Sequence, residues 1–467
     1  MMEVDRRKFL SLVAATFASS TGWLVSSGEA RALGGLPNNK HLRIILNNDL
    51  NNLLWASSGG RITLQEYTRG VEALLQGKPV VLAQNVGLPD PVIYRSKEAT
   101  SLAKHIVDVS LKTEPWVPPF GQPTAERWVR RIEKERAETR RDAEVQADAM
   151  RRLEAFGTDP LALTIEVCRR RGVFAVASYR MNSNDWYQNT WLLSDFGRAH
   201  PQSRIPNTGA LDLADPAVYE HRQRIFREVV ENYDTDGIEF DYMRGLNMVL
   251  NPRENYPIVT HEVADTRRML DEVARRKRRT RLLLGVRVGY SLDGPSLPPD
   301  DLSCRDRGLD VRTWVRKGLV DYVCPSYYWP RLPGVPKTAE FAALARHSHT
   351  GVYPTIFPFA SWQDAPLDLL EEPHKTRIDE DDLVQMGRLK NEICGAALQA
   401  YAEGADGVST FNWVHHHQPG MVYHPMRADW GLGSKKVQMW VHPKLGSPRA
   451  LRECLNQSVE QARETHR

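Results

Sequence analysis

Cysteine is scarce in this 467-residue sequence, and its five cysteines are too widely spaced to form a C-x-x-C pair. An odd number of scattered cysteines indicates neither a disulfide framework nor a structural zinc site, so we expect buried small hydrophobic residues. The sequence also lacks a glycine-rich dinucleotide loop and an iron–sulfur cysteine run, and we expect no bound cofactor. The cysteines are Cys168, Cys304, Cys324, Cys394 and Cys454.

Neither sign of charge dominates, because the sequence contains 62 lysines and arginines and 58 aspartates and glutamates, which gives a net charge of +4. A dedicated nucleic-acid-binding protein carries a dense basic field, so nucleic acid is not an expected partner. Long apolar runs are lacking after residue 32, whereas a membrane-spanning helix needs about 20 apolar residues. We therefore predict no membrane-spanning segment in the mature chain. A content of 41% hydrophobic and 26% charged residues is typical of a large folded domain.

Residues 1–32 resemble a twin-arginine signal peptide. The paired arginines Arg6 and Arg7 precede an apolar stretch that runs to Val25, and a small-x-small sequence ends at Ala32. An uncleaved membrane anchor is the alternative, but serine, threonine and glycine dilute the apolar stretch. We predict cleavage after Ala32, so that the mature protein begins at Leu33. The expected partner is the twin-arginine translocation machinery, and the expected location is periplasmic or secreted.

Short apolar runs rich in β-branched residues alternate with helical patterns along the rest of the chain, which indicates repeated βα units and a parallel sheet. Eight such runs predict a (β/α)8 TIM barrel over residues 40–430. An open doubly wound sheet is the alternative, but it would place a glycine-rich turn after the first strand, where Asn47-Asn48-Asp49-Leu50 stands. The predicted strands are Leu42–Leu46, Val80–Gln84, Val173–Tyr179, Gly237–Asp241, Leu282–Val288, Tyr322–Ser326, Val352–Phe357 and Gly407–Phe411.

Two segments interrupt or follow the repeat. Residues 115–158 contain a proline-rich turn and a highly charged stretch, which predicts a solvated helical insertion between strands two and three rather than a partner-binding coiled coil. Residues 434–467 predict a C-terminal extension with a strand at Val437–Val441 and a helix at Pro448–Thr465. The helices predicted within the barrel are Leu64–Leu75, Pro216–Tyr233, Thr266–Arg279, Asp310–Lys317, Ala339–His347 and Asp382–Glu403.

The fourth predicted strand carries the richest candidate site. Ile238 and Phe240 alternate with Glu239 and Asp241, because successive side chains of a strand point to opposite faces. If the apolar pair meets the helices, both carboxylates point to the barrel axis near its open end. Burial and mutual repulsion then separate their pKa values, which can give one acid and one base or nucleophile.

The sequence DGIEFDYMR at residues 236–244 resembles the D-G-I-x-F-D-Y-x-R element of the bacterial glycosyl-hydrolase-like family ten, a group of predicted glycosidase barrels. It resembles more distantly the D-G-x-R-x-D strand of the α-amylase clan, and this resemblance implies Asp241 as nucleophile in a (β/α)8 barrel. Glu239 stands where that clan has an arginine, and residues 286–290 lack the clan's glutamate acid. The amylase mechanism is therefore not implied as a whole.

The carboxylates have a purely structural alternative, in which Glu239 and Asp241 pair with interior arginines and only close the barrel. If the two act in catalysis, glycoside hydrolysis requires one protonated and one ionised carboxyl group. Residues two apart on one strand can lie too close to span the bond, so the acid could be a loop aspartate. The candidate arginines are Arg180, Arg244 and Arg287, and the candidate loop acids are Asp185, Asp195 and Asp293.

Aromatic and amide side chains follow three of the predicted strands, and these groups suit a sugar, whose hydroxyl groups take hydrogen bonds while its C–H faces lie on rings. Packing is an equal alternative for the aromatic residues. We predict substrate contacts from Arg180, Asn182, Asp185, Trp186, Arg244, Arg287, Tyr327, Asn412 and Trp413.

Three histidines, His415-His416-His417, follow the eighth strand, and imidazole is a common metal ligand. Consecutive residues cannot all face one ion without an unusual turn, so we predict no metal site. The leading hypothesis is an exported glycoside hydrolase that acts on a poly- or oligosaccharide. The alternatives are a non-catalytic glycan-binding barrel and a metal-dependent hydrolase that uses the histidines.

Overall fold

The structure is a computed structural model that describes residues 39–49, 62–104, 146–182, 194–205, 210–244, 247–295, 303–327, 335–357, 380–413 and 432–461. Nine strand segments form one parallel sheet. They are β1 (Ile44–Asn48), β2 (Val81–Gly87), β3 (Phe174–Arg180), β4 (Gly237–Asp241), β5 (Leu283–Gly289), β6 (Tyr322–Ser326), β7 (Gly351–Val352), β8 (Thr355–Ile356) and β9 (Val408–Phe411). The helices are α1 (Leu64–Leu75), α2 (Pro160–Arg170), α3 (Asp195–Ala199), α4 (Pro216–Asn232), α5 (Pro252–Arg276), α6 (Val311–Arg316), α7 (Thr338–Ala345), α8 (Glu380–Ala402), α9 (Leu432–Val441) and α10 (Pro448–Leu455).

The sheet closes into a barrel of eight strands, because β7 and β8 are the two halves of the seventh strand. The first half pairs with β6, where Val323 lies beside Val352. The second half pairs with β9, where Thr355 lies beside Ser409. Strand β9 in turn pairs with β1, and every pair is parallel. The predicted (β/α)8 fold and all eight predicted strands are confirmed.

Each strand has one face toward the barrel axis and one toward the helices. In β4, Ile238 and Phe240 join the apolar layer between strands and helices. A separate apolar cluster fills the barrel interior toward the amino ends of the strands. Glu239 and Asp241 lie in the interior nearer the carboxyl ends. The interior cluster contains Leu42, Ile45, Val81, Ala83, Val176, Leu283, Tyr322, Cys324 and Tyr353.

Short polar signals in the sequence start several helices. Helix α2 begins with Asp159 followed by a proline, and α4 begins in the same way with Asp215. The aspartate side chain accepts a hydrogen bond from an amide of the first turn, and the proline occupies a position that needs no amide. Thr63 and Glu66 form a reciprocal capping box at the start of α1. The helix starts, and hence the loops above the strands, are therefore fixed by local sequence.

The C-terminal segment differs from the prediction, because residues 437–441 belong to the helix α9 and the strand predicted there is wrong. Val437, Trp440 and Val441 are buried at helical spacing, whereas a strand would bury alternate residues. Helices α9 and α10 both pack against α8. The ring of His442, just after α9, contacts the Thr410 hydroxyl of β9 at 3.1 Å. This segment therefore covers the last strand of the barrel.

Residues 115–145 of the predicted insertion lie outside the described residues. Residues 146–155 are helical, and Met150 and Leu153 are buried in the core between strands and helices. All five cysteines are buried free thiols, as predicted. None of the helices within the described ranges has both the length and the apolar character that crossing a bilayer requires.

Candidate active site at the carboxyl end of strand four

Strand β4 places two carboxylates inside the barrel, both without solvent exposure. Asp241 lies between Arg180 of β3 and Arg287 of β5 in the sheet register. Glu239 lies one interior position lower, beside Ser178 of β3. Catalytic groups of this fold lie at the carboxyl ends of the barrel strands. Asp241, at the end of β4, is therefore better placed for catalysis than Glu239.

Asp241 is held as an oriented carboxylate by two donors. Its Oδ2 accepts a hydrogen bond from Nη1 of Arg287 at 2.9 Å, and its Oδ1 accepts one from the amide of Met243 at 2.9 Å. Arg287 is itself fully buried and donates to the Ser326 hydroxyl at 3.0 Å. Its guanidinium lies 4.2 Å from the ring centre of Phe411. A charge-assisted pair enclosed in this way fixes the orientation of the carboxylate.

Glu239 is surrounded by neutral donors. Its Oε1 accepts hydrogen bonds from the side-chain Nδ2 of Asn47 and from the Ser178 hydroxyl, the latter at 2.9 Å. Its Oε2 accepts one from the Tyr322 hydroxyl at 3.0 Å. Burial, followed by the charge of Asp241, raises the pKa of Glu239 to about 7, against the lowering effect of the hydroxyl donors. Glu239 can therefore keep a proton near neutral pH.

This shift predicts a pH-dependent effect of Glu239→Gln on stability. The pKa of Glu239 rises from 4.5 to about 7 on folding, so between these values the unfolded chain loses the proton and the folded chain keeps it. Ionisation of Glu239 therefore lowers the stability of the wild type as the pH rises through this window, and the variant lacks this contribution. We expect the variant to gain up to about 3 kcal/mol over the wild type between pH 4.5 and 8.

Urea unfolding of both proteins at several pH values measures this difference. Glu262, whose pKa burial also raises to about 7, titrates in both proteins, so the difference between them isolates Glu239. A stability difference that stays constant from pH 4.5 to 8 would show that Glu239 ionises in the folded protein as it does in water.

Gly285 makes room for the tyrosine that contacts Glu239. A Cβ atom at this position of β5 would lie 2.0 Å from the Tyr322 ring, which crosses the glycine to reach the carboxylate. We expect Gly285→Ala to displace the ring and to destabilise the protein by about 1–3 kcal/mol. Thermal unfolding checks this, with Gly395→Ala as a control, since a Cβ atom there meets nothing within 4 Å. Equal melting temperatures for the two variants would contradict the close contact.

A second buried cluster lies at the ends of β1, β3 and β9, and sequence reasoning missed its central residue, Asp49. The amide of Asn412 donates to Asp49 Oδ2 at 2.5 Å, and the Asp49 backbone N–H donates to Asn412 Oδ1 at 2.8 Å. Arg180 forms an ion pair with the same carboxylate. Asp49 directly follows the first apolar run, and this position after a barrel strand was the available signal.

Two residues predicted to bind sugar also contact the scaffold, and their role in sugar binding stays a prediction. The Trp413 ring is fully buried in the core and donates to the carbonyl of Ile356 at 3.0 Å. Asn182 has a left-handed backbone with φ 57°, and its amide nitrogen donates to the carbonyls of Leu211 at 2.9 Å and Asn247 at 3.0 Å. Both residues hold loops in place.

Tyr327 is partly exposed just after β6, and its ring stacks on Tyr290 with 5.1 Å between centres. Among the loop acids, Asp195 is exposed, and Asp293 forms an ion pair with Arg312. No group of three or more histidine, cysteine, aspartate or glutamate residues that could hold a metal occurs in the described parts of the chain. The predicted residues Asp185, Trp186 and His415-His416-His417, and the side chain of Arg244, lie outside the described residues.

The fold and site together define a TIM barrel with a buried carboxylate centre at its open end. No family model matches the chain. The chain is 27% identical over 208 residues to the protein named glycosyl hydrolase DigH from Escherichia coli K12, covering 37% of this chain and 47% of the relative. DigH from E. coli O6:H1 is 26% identical over 206 residues, with the same coverage. The chain thus spans about half the length of the curated relatives it matches.

Several solved glycosidase structures are also similar, at low scores. An α-L-fucosidase from Paenibacillus thiaminolyticus gives a TM-score of 0.43 at 13% identity, covering 89% of this chain and 50% of that one. A chitinase from Cycas revoluta gives 0.38 at 12% identity, covering 85% and 99%. The glycoside hydrolase domain of PgaB from Bordetella bronchiseptica gives 0.40 at 11% identity, covering 80% and 95%. The barrel assignment rests on the strand order of the sheet itself.

Proposed function

We propose that this chain is a glycoside hydrolase that acts on a poly- or oligosaccharide, with Asp241 as nucleophile or general base. The observation that carries the proposal is the Asp241 carboxylate, buried at the end of β4 and oriented by Arg287 and the Met243 amide. An ionised carboxylate of fixed direction is the group that attacks an anomeric carbon or activates its water. The distant similarity to glycosyl hydrolase DigH supports glycoside hydrolysis as the activity. The resemblance to family ten stays a prediction.

The general acid is a separate question. Residues two apart on one strand can lie too close to span the glycosidic bond, which needs carboxyl groups about 5–9.5 Å apart. Glu239 has the raised pKa of an acid, but both of its oxygens already accept hydrogen bonds from the barrel wall. We therefore propose that a loop carboxyl group, rather than Glu239, protonates the leaving group. Asp185, Asp195 and Asp293 remain the predicted candidates.

A glycan panel tests the hydrolase directly. The protein from Leu33 onward is incubated with polysaccharides of different composition, and the products are analysed by mass spectrometry. We expect shortened oligosaccharides from at least one glycan. Intact glycans across the panel, together with no binding in affinity electrophoresis, would overturn the proposal.

A non-catalytic glycan-binding barrel is the second candidate, and one observation favours it. Each oxygen of Asp241 and Glu239 already has a protein donor, as expected for carboxylates that only close a barrel. Tight binding of a glycan that stays intact after long incubation would select this function over hydrolysis.

We further propose export through the twin-arginine route, supported by Arg6 and Arg7 ahead of an apolar stretch. Replacing both arginines with lysine should keep the precursor in the cytoplasm and abolish the processed form. Cell fractionation with N-terminal sequencing checks this, and a variant with Arg31 replaced by lysine serves as a control of equal charge change. Unimpaired export of the double-lysine variant would contradict the route.

A further inference from the structure

Asn85, on β2, is a buried amide without a hydrogen-bond partner. Its side chain is 1% exposed, and neither its Oδ1 nor its Nδ2 has a partner among the residues that the structure describes. Desolvating an amide without replacing its hydrogen bonds with water is unfavourable, so native proteins rarely leave such groups unsatisfied without a reason. The mechanism proposed above does not use Asn85.

The alternation of β2 directs this amide into the barrel. Val81 and Ala83 belong to the apolar cluster inside the barrel, whereas Leu82 and Val86 belong to the core between strands and helices. Asn85 continues the first series, so it faces the interior above Ala83. It is paired in register with Ser178 of β3, the residue whose hydroxyl donates to Glu239. Asn85 therefore lies beside the carboxylate centre.

A second unsatisfied atom lies on the neighbouring strand. Asn47 of β1 donates its amide nitrogen to Glu239, but its Oδ1 is buried without a partner among the described residues. Asn47 pairs in register with Ala83, one interior position below Asn85. Adjacent strands thus present one amide nitrogen and two carbonyl oxygens with unused hydrogen-bonding capacity.

We propose that Asn85 and the Oδ1 of Asn47 form a binding subsite for a neutral sugar ring, a proposal that rests on the glycoside hydrolase function. Sugar hydroxyl groups both donate and accept, as this combination of amide groups requires. An acidic sugar would need a free cation, but of the described arginines on the strands beside this site, Arg180 already pairs with Asp49 and Arg287 with Asp241. The subsite therefore selects neutral over acidic sugars.

The first test is the thermal stability of Asn85→Leu without ligand. Replacing an unsatisfied buried amide with an apolar side chain of the same branching should raise the melting temperature by roughly 1–4 °C. Asn48→Leu is the matched control, because Asn48 is equally buried on the adjacent strand but its amide donates to Gln84 at 2.8 Å. We expect this control to melt lower than the wild type. Asn85→Ala, which adds no volume, covers the possibility that leucine does not fit.

The second test is saccharide binding, measured by calorimetry with cellobiose, maltose, chitobiose and the acidic digalacturonate. We expect the wild type to bind at least one neutral disaccharide in preference to digalacturonate, and both Asn85 variants to bind it about 10–100-fold more weakly. Unchanged binding by the variants, or a loss of stability in both that matches Asn48→Leu, would overturn the subsite alone. A wild type that binds no neutral saccharide and cleaves no glycan would overturn the subsite and the hydrolase function together.

Discussion

Asp241→Asn is expected to lower the turnover of the cleaved glycan by about 10³-fold or more while glycan binding persists. The substitution keeps the shape of the side chain, and the Met243 amide still has an oxygen to bond. It removes the negative charge that either attacks the anomeric carbon or takes a proton from water, and neutral asparagine does neither. Initial rates and calorimetric affinity on the same glycan separate chemistry from binding.

Asp234→Asn provides the control, since this aspartate precedes the same strand but is 57% exposed and pairs with surface arginines. We expect it to turn over at the wild-type rate. Turnover by Asp241→Asn within tenfold of the wild type would assign Asp241 to the closure of the barrel.

Arg287→Met is expected to destabilise the folded protein by about 3–5 kcal/mol, the largest effect on stability among these predictions. The variant leaves Asp241 as a fully buried carboxylate with only the Met243 amide as donor, and it also removes the donor to Ser326. Methionine keeps much of the volume against Phe411, so lost packing contributes little. Urea unfolding measures the change in the free energy of unfolding.

The double variant Arg287→Met with Asp241→Asn separates the stability contributed by the ion pair from the stability contributed by the neighbouring contacts. Removing both charges leaves no unpaired buried ion, so the double variant should be more stable than Arg287→Met alone. A loss of less than about 1 kcal/mol in Arg287→Met would mean that the pair contributes little. A double variant as unstable as the sum of its parts would mean that the two side chains do not interact.

The strands of the barrel could be predicted from the sequence because their signal is local. Strands β4 and β6 coincide with their predicted ranges, since each is a short apolar run bounded by turn residues. The seventh strand could not be predicted as two halves. Pro354 stands between them without a backbone N–H, and only the closed sheet decides that one half pairs with β6 and the other with β9.

The sequence could predict only those features of the site that depend on a single strand. The inward direction of Asp241 follows from alternation within β4, but its pairing with Arg287 depends on the register between strands. Asp49 and Asn85 are distant from that motif in the chain, and the barrel alone brings their strands to the same interior. The burial of the Trp413 ring could not be predicted, because a residue just past a strand gives no local sign of its direction.

The decisive measurement of glycoside hydrolysis by Asp241 is the production of new reducing ends by the purified wild-type protein, followed over time beside Asp241→Asn. We expect a linear increase with at least one polysaccharide for the wild type and no increase above the protein-free control for the variant. Equal rates from the two proteins would contradict the role of Asp241. Binding without any reducing ends from the wild type would contradict hydrolysis and leave a glycan-binding barrel.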